Sequence, residues 1–199
     1  MRIIGGAWRG RRLVAPHGEA TRPTADRMRQ ALFDRIMHAP WAASALADAL
    51  VLDAFAGTGA LGLEALSRGA ARAVFIERDT AAVAALRANI AACRAEVRCA
   101  VLQASALAPP RGEACGLVFL DPPYGEGLVP RAVASLDAAG WIARGSLIIA
   151  ETEADEASPE VDALAEFRHG AARITAWRHQ AAPVRPGDAV PPSRPGYQR

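Results

Sequence analysis

The chain has 199 residues, 51% hydrophobic and 22% charged, which suits one ordinary domain with a real core and argues against a disordered chain. No apolar run is long enough to span a membrane and the N-terminus has no apolar signal core, so a cytoplasmic protein without membrane attachment is expected. All 23 basic residues are arginine and the net charge is +2, yet residues 1–35 hold eight arginines against Glu19, Asp26 and Asp34. The rest is mildly acidic, and a basic arm on such a body suits a polyanionic partner.

Residues 1–40 read as that basic arm, a hairpin followed by a helix. Arg2-Ile3-Ile4 and Arg12-Leu13-Val14 are short strand-like runs around Gly5-Gly6, Trp8 and Gly10. A loop covers Pro16 to Pro23. Thr24 looks like a helix N-cap, and Met28, Leu32 and Ile36 recur on one face to about His38. Residues 41–182 alternate strands and helices. Leu50–Phe55, Ala73–Glu77, Val97–Gln103, Leu117–Leu120 and Leu147–Ala150 are strand candidates, with helices over Leu61–Arg68 and Thr80–Cys93. The strands are continuous apolar runs, as a parallel sheet covered on both faces requires. An acidic loop is expected after Glu151, and a final antiparallel pair within residues 165–179. Residues 183–199 carry five prolines and read as a disordered tail. Cys93, Cys99 and Cys115 form no CxxC pair, and His17, His38, His169 and His179 lack ligand spacing. Neither a disulfide nor a bound metal is expected.

Gly57, Gly59 and Gly62 fit G-x-G-x-x-G after a strand and at the opening of a helix. The pattern permits a tight turn and close ligand approach, and by itself fits a dinucleotide as well as any other ligand. No Gly-Lys-Ser/Thr follows, so it is no phosphate-binding P-loop. Asp53 near the strand end is awkward beside a pyrophosphate but suits a cationic ligand. Glu77, ending the next strand, can accept two hydrogen bonds from a ribose diol. Together Asp53, Gly57, Gly59 and Glu77 resemble the S-adenosylmethionine site of Rossmann-like methyltransferases. The resemblance places Phe55, Thr58 and Arg78 in the same donor site. It also places Ser105 near the adenine, where aspartate is commoner.

Asp121-Pro122-Pro123-Tyr124 directly follows the fourth strand. An exocyclic base amine is a poor nucleophile because its lone pair is delocalised into the ring. The Asp121 carboxylate and a backbone carbonyl, that of Pro122, can accept hydrogen bonds from the NH₂ group and turn its lone pair toward a methyl group. Proline stiffens the turn and brings no competing N–H. Tyr124 offers a ring on which an extruded base can stack. Whether Asp121 takes the departing proton during or after transfer stays open.

Residues 2–11 (RIIGGAWRGR), 22–29 (RPTADRMR), 52–65 and 121–124 together resemble the bacterial 16S rRNA guanine-N2 methyltransferases of the RsmD-like family, over about residues 1–180. The resemblance implies a Rossmann-like class I methyltransferase. Its α/β fold would have a mostly parallel seven-stranded sheet, helices on both faces and an N-terminal hairpin-and-helix extension. It implies methyl transfer from S-adenosylmethionine to the N2 amine of a specific guanine in 16S rRNA, on an assembled or assembling 30S subunit, by a monomer. Arg9, Arg11, Arg12 and Arg22 are then candidates for phosphate contacts, with Trp8 packing or stacking nearby. Arg22 to Arg29 would close over the donor, with Thr24 and Arg27 as candidates. Three alternatives stand beside this. An adenine-N6 methyltransferase on DNA or RNA uses the same four residues, although its DNA members usually carry a target-reading domain for which this chain lacks room. A nicotinamide dehydrogenase leaves Asp121–Tyr124 without a task. A non-catalytic RNA-binding protein would not need Asp121.

Overall fold

Continuous apolar runs become the strands of a single sheet. The computed structural model describes residues 1–15, 23–156 and 160–180. Its helices are α1 (Pro23–His38), α2 (Ala60–Ser67), α3 (Thr80–Cys93) and α4 (Leu128–Ala138). Its strands are β1 (Leu50–Ala54), β2 (Arg72–Glu77), β3 (Cys99–Gln103), β4 (Leu117–Leu120), β5 (Leu147–Glu153), β6 (Ala163–His169) and β7 (Ala172–Arg178). The strand order is β3-β2-β1-β4-β5-β7-β6. β1 to β5 run parallel, and β7 lies antiparallel between β5 and β6. The expected seven-stranded, mostly parallel sheet is what the chain forms.

Helix placement follows from the order. The crossovers β1-α2-β2 and β2-α3-β3 advance in one direction, while β4-α4-β5 advances in the other. Right-handed connections then put α2 and α3 on one face and α4 on the opposite face. Val51, Phe75, Phe119 and Ile149 accordingly pack with residues of α1, α2 and α3 and with Ile3 and Leu13 of the arm. Leu52, Ile76, Val118 and Ile148 pack with Val129, Ala132 and Leu136 of α4 and with Trp141. Both strand faces are buried, which is why the runs do not alternate. The reversal between β1 and β4 opens a crevice at the C-terminal strand ends, the usual ligand position in such sheets.

Four details differ from the sequence reading. The N-terminal hairpin is present but short: a single antiparallel bridge, Arg2 with Arg12, flanked by hydrogen bonds from Ile3 N–H to the Arg11 carbonyl and from Leu13 N–H to the Met1 carbonyl, around a 3-10 turn at Gly6–Trp8. Helix α1 starts at Pro23, so Thr24 lies in its first turn and is not the cap; proline is tolerated there because that N–H has no helical partner. Helix α4 was not anticipated. Strand β5 runs on to Glu153 because β7 pairs with it as far as Glu153↔Ala172, so Glu151, expected just beyond the strand, and Glu153, expected in the acidic loop, both belong to the sheet.

The arm docks against α2 and α3. Glu64, fully buried in α2, accepts hydrogen bonds from Ile4 N–H at 2.7 Å, Gly5 N–H at 2.8 Å and Arg68 Nε at 2.6 Å. Arg29 of α1 approaches the same carboxylate at 3.9 Å and bonds Asp26 and the Arg2 carbonyl. Buried Asn89 of α3 pairs with both backbone groups of Val14, at 2.7 and 2.9 Å. Among the described residues no helix is long and apolar enough to cross a membrane.

Candidate active site

The register decides what meets at the crevice. Ala54 of β1 pairs with Leu120 of β4, and Leu120 with Ala150 of β5. Phe55, Asp121 and Glu151 therefore stand side by side, one residue beyond that row. Adjacent strands lie about 4.8 Å apart. The glycine turn after β1 and the diproline segment after β4 thus share one end of the sheet.

The turn itself is held by carboxylates. Glu77, at the end of β2, accepts from Gly57 N–H and Asp79 N–H, both at 2.8 Å. Gly57 and Gly59 have φ of +52° and +79°, where a side chain is strained. A Cβ on Gly57 would meet nothing within 4 Å, so the turn faces open space; one on Gly59 would fall 2.3 Å from Leu86 Cδ1. Phe55 also adopts a positive φ, +69°, a conformation that costs a non-glycine residue about 1–3 kcal/mol. It is held because Phe55 N–H and Ala56 N–H both donate to the Ile76 carbonyl, at 3.1 and 3.0 Å.

A pocket of about 320 Å³ occupies this end, within the size range of small-molecule sites. Phe55, Glu77, Arg78, Ser105, Asp121 and Pro123 line it, so the structure brings together six of the expected residues. Asp79 and Glu126 line it as well and were not foreseen. A larger cavity of about 690 Å³ lies between α4 and β7. None of the expected site residues lines it.

Two expected donor residues turn elsewhere. Asp53 is buried, and its carboxylate accepts from Gly62 N–H at 2.8 Å, bracing the first turn of α2. Burial pushes its carboxyl up to about 7, against the Gly62 hydrogen bond, with Glu77 adding to the rise. Thr58 is buried, and its hydroxyl lies 3.5 Å from Met1 Sδ, while its carbonyl accepts from Asn89 at 3.0 Å. Both build the turn from behind.

Asp121 is exposed at the pocket wall. Desolvation by the wall, then the Glu151 and Asp53 carboxylates, raise its carboxyl above the usual carboxylate range. Pro122 is buried and Tyr124 half-exposed. The Tyr124 phenol donates to Glu151, a residue that sequence reasoning missed. Burial, then that hydrogen bond and the carboxylates around it, push the phenol upward.

Of the arm residues, Arg9, Arg11 and Arg12 are exposed, and Arg11 donates to the Ala92 carbonyl of α3. Trp8 N–H donates to Ser67 Oγ at 2.9 Å and its ring lies under Arg98 at 5.5 Å. Ser67 ends α2, so Trp8 packs about a helix length from the glycine turn and does not reach the pocket. Arg27 is exposed on α1. Arg22 and the 183–199 tail lie outside the described residues, and Thr24 is described only by its backbone.

Comparison with known proteins bears directly on this arrangement. Residues 1–178 match the family described as Conserved hypothetical protein 95. The Escherichia coli (strain K12) protein named ribosomal RNA small subunit methyltransferase D is 43% identical over 164 residues, 82% of this chain and 80% of its own length. The chain belongs to this methyltransferase D family. The Haemophilus influenzae member is 37% identical over 78% of this chain and 80% of its own length. A solved structure of Escherichia coli YhhF superposes with TM-score 0.78 at 38% identity, covering 92% of this chain and 99% of that one. The fold is the Rossmann-like class I methyltransferase fold, and family membership makes the chain an S-adenosylmethionine-dependent methyltransferase. Its pocket fits that donor: a carboxylate ends β2, an aromatic wall stands at Phe55, and open space lies over Gly57.

Proposed function

We propose that this chain methylates the exocyclic N2 amine of one guanine in 16S rRNA, within an assembled or assembling 30S subunit, as a cytoplasmic monomer. The observation that carries the reading is the adjacency, on neighbouring parallel strands, of the glycine turn and the Asp121–Tyr124 segment. The relatives' name supports small-subunit rRNA as the substrate. The amine-accepting pair at Asp121 and Pro122 supports an exocyclic NH₂ as the target, and the motif resemblance supports guanine N2.

S-adenosylmethionine, when bound, supplies a methyl group on a positively charged sulfur. Glu77 would hold its ribose diol, Phe55 and Ser105 would flank the adenine, and Arg78 would stand at the rim. Asp53 and Thr58 keep the turn in shape from beneath. On the acceptor side, the Asp121 carboxylate and the Pro122 carbonyl accept hydrogen bonds from the NH₂ group, holding its lone pair out of the ring plane. Asp121 must be ionised for this. Its raised proton affinity also makes it a better acceptor of the amine's proton than an ordinary aspartate. The Tyr124 ring receives the extruded base. Arg9, Arg12 and Arg22 offer charges to phosphates, and Thr24 and Arg27 close over the donor.

The test is mass-spectrometric mapping of rRNA after incubating the protein with 30S subunits and methyl-labelled donor. One labelled N2-methylguanine is expected. Label on adenine N6, or no label from folded, donor-binding protein, overturns the reading.

A further inference from the structure

Glu151 has no part in the chemistry so far. It is buried on β5, one residue beyond the Leu120↔Ala150 pair, beside Asp121. It forms no ion pair among the described residues. A carboxylate buried without a cation is costly, so its position calls for a reason. What it does hold is the Tyr124 phenol. Tyr124 stands on the segment between β4 and α4, and the residue is 44% exposed. This hydrogen bond ties its phenol to an interior strand of the sheet, and rigid elements place functional groups better than loops do.

We propose that Glu151 is a positioning residue for methyl transfer: it anchors the Tyr124 ring through the phenol and sets a second carboxyl beside that of Asp121. The inference rests on the reading of Asp121–Tyr124 as the seat of the target base. Asp53 on β1 and Glu151 on β5 flank Asp121, and Glu77, Arg78, Asp79 and Glu126 face it across the pocket. Tyr124 additionally feels Glu153. Burial raises Glu151 too, opposed by the Tyr124 hydrogen bond. The two carboxyls therefore titrate as a pair, and the charge on one sets the pH at which the other ionises.

The experiment measures kcat and KM for 30S subunits against pH in the full-length protein. The variants are Glu151→Gln, Glu151→Leu, Tyr124→Phe and the Leu/Phe double, with donor Kd and Tm followed for each. The Gln amide oxygen still accepts from the phenol but carries no charge. Glu151→Gln is expected to hold KM within about twofold while the acid limb of kcat moves about one pH unit lower. Glu151→Leu and Tyr124→Phe should each cost about five- to tenfold in kcat/KM, with the double variant no worse than either. Donor Kd should stay put, since Glu151 does not line the pocket. An acid limb unmoved by Gln, losses that multiply in the double variant, or losses that merely follow a fallen Tm would overturn the proposal. If Leu does not fold, Gln and Phe carry the test. Methylation surviving in Asp121→Ala would instead sink the reading of the base seat, a separate failure.

Discussion

Replacing Glu64 with alanine should release the N-terminal arm and destabilise the whole domain. The carboxylate is fully buried and serves four groups: two backbone N–H donors of the arm, Arg68 at 2.6 Å and Arg29 at 3.9 Å. The two arginine side chains are only 9% and 5% exposed; Asp34 at 3.7 Å and Asp26 at 2.8 Å still face them, but the charge deepest between them is lost. Removing one member of a buried pair costs about 3–5 kcal/mol, a large share of an ordinary domain's stability. In a chain of this size that corresponds to a Tm lower by about 10 °C. Glu64→Gln keeps one acceptor and should fall between. Urea unfolding gives the free energy, and limited trypsin digestion at Arg9 and Arg11 reports the arm. A loss below about 1 kcal/mol, with the arm still resistant to cleavage, would refute the argument that this carboxylate staples the arm in place.

Asp53→Asn should keep the Gly62 contact while removing a pH-dependent cost. Well below pH 3.8 the Asp53 carboxyl is protonated in both folded and unfolded chains. As pH rises from 3.8 toward about 7, the unfolded carboxylate ionises first and the native form loses stability. The unfolding free energy of the wild type, followed from pH 4 to 8, should therefore fall relative to the Asn variant by up to about 4 kcal/mol and then level off. Asp121→Ala should abolish most turnover while a calorimetric donor Kd changes little. Neutralising Arg9, Arg12 and Arg22 together should flatten the log–log salt dependence of RNA binding by about 2–3 units; filter binding across a salt series checks this.

The parallel strands were legible because burial on both faces leaves no alternation, and the glycine turn because few other residues tolerate its backbone. The Asp121–Tyr124 segment stood out because Pro-Pro after an apolar strand has few other uses. What escaped depended on partners distant in sequence. Glu151 read as lying just past the strand and before an acidic loop, yet β7 extends β5 beyond it. Arg173, which reaches Thr152 and the Glu156 carbonyl, helps carry that extension. Glu64 was hidden within an apolar helix, where a lone carboxylate is itself a sign of buried partners. Helix α4 did leave a trace in Leu128, Val129, Ala132 and Leu136 at helical spacing. Pro130 obscured it, although proline fits a first helical turn. Trp8 was placed by its motif, and only the docking against Ser67 revealed how far from the pocket it sits.

Phe55, Asp121 and Glu151 hang from a single rung of the sheet, Ala54–Leu120–Ala150. Side chains alternate along a strand, so a slip of β4 by one place would turn Phe119 out of its packing as surely as it moved Asp121. The contact that seats Phe119 and the placement of Asp121 are therefore set by the same strand alignment.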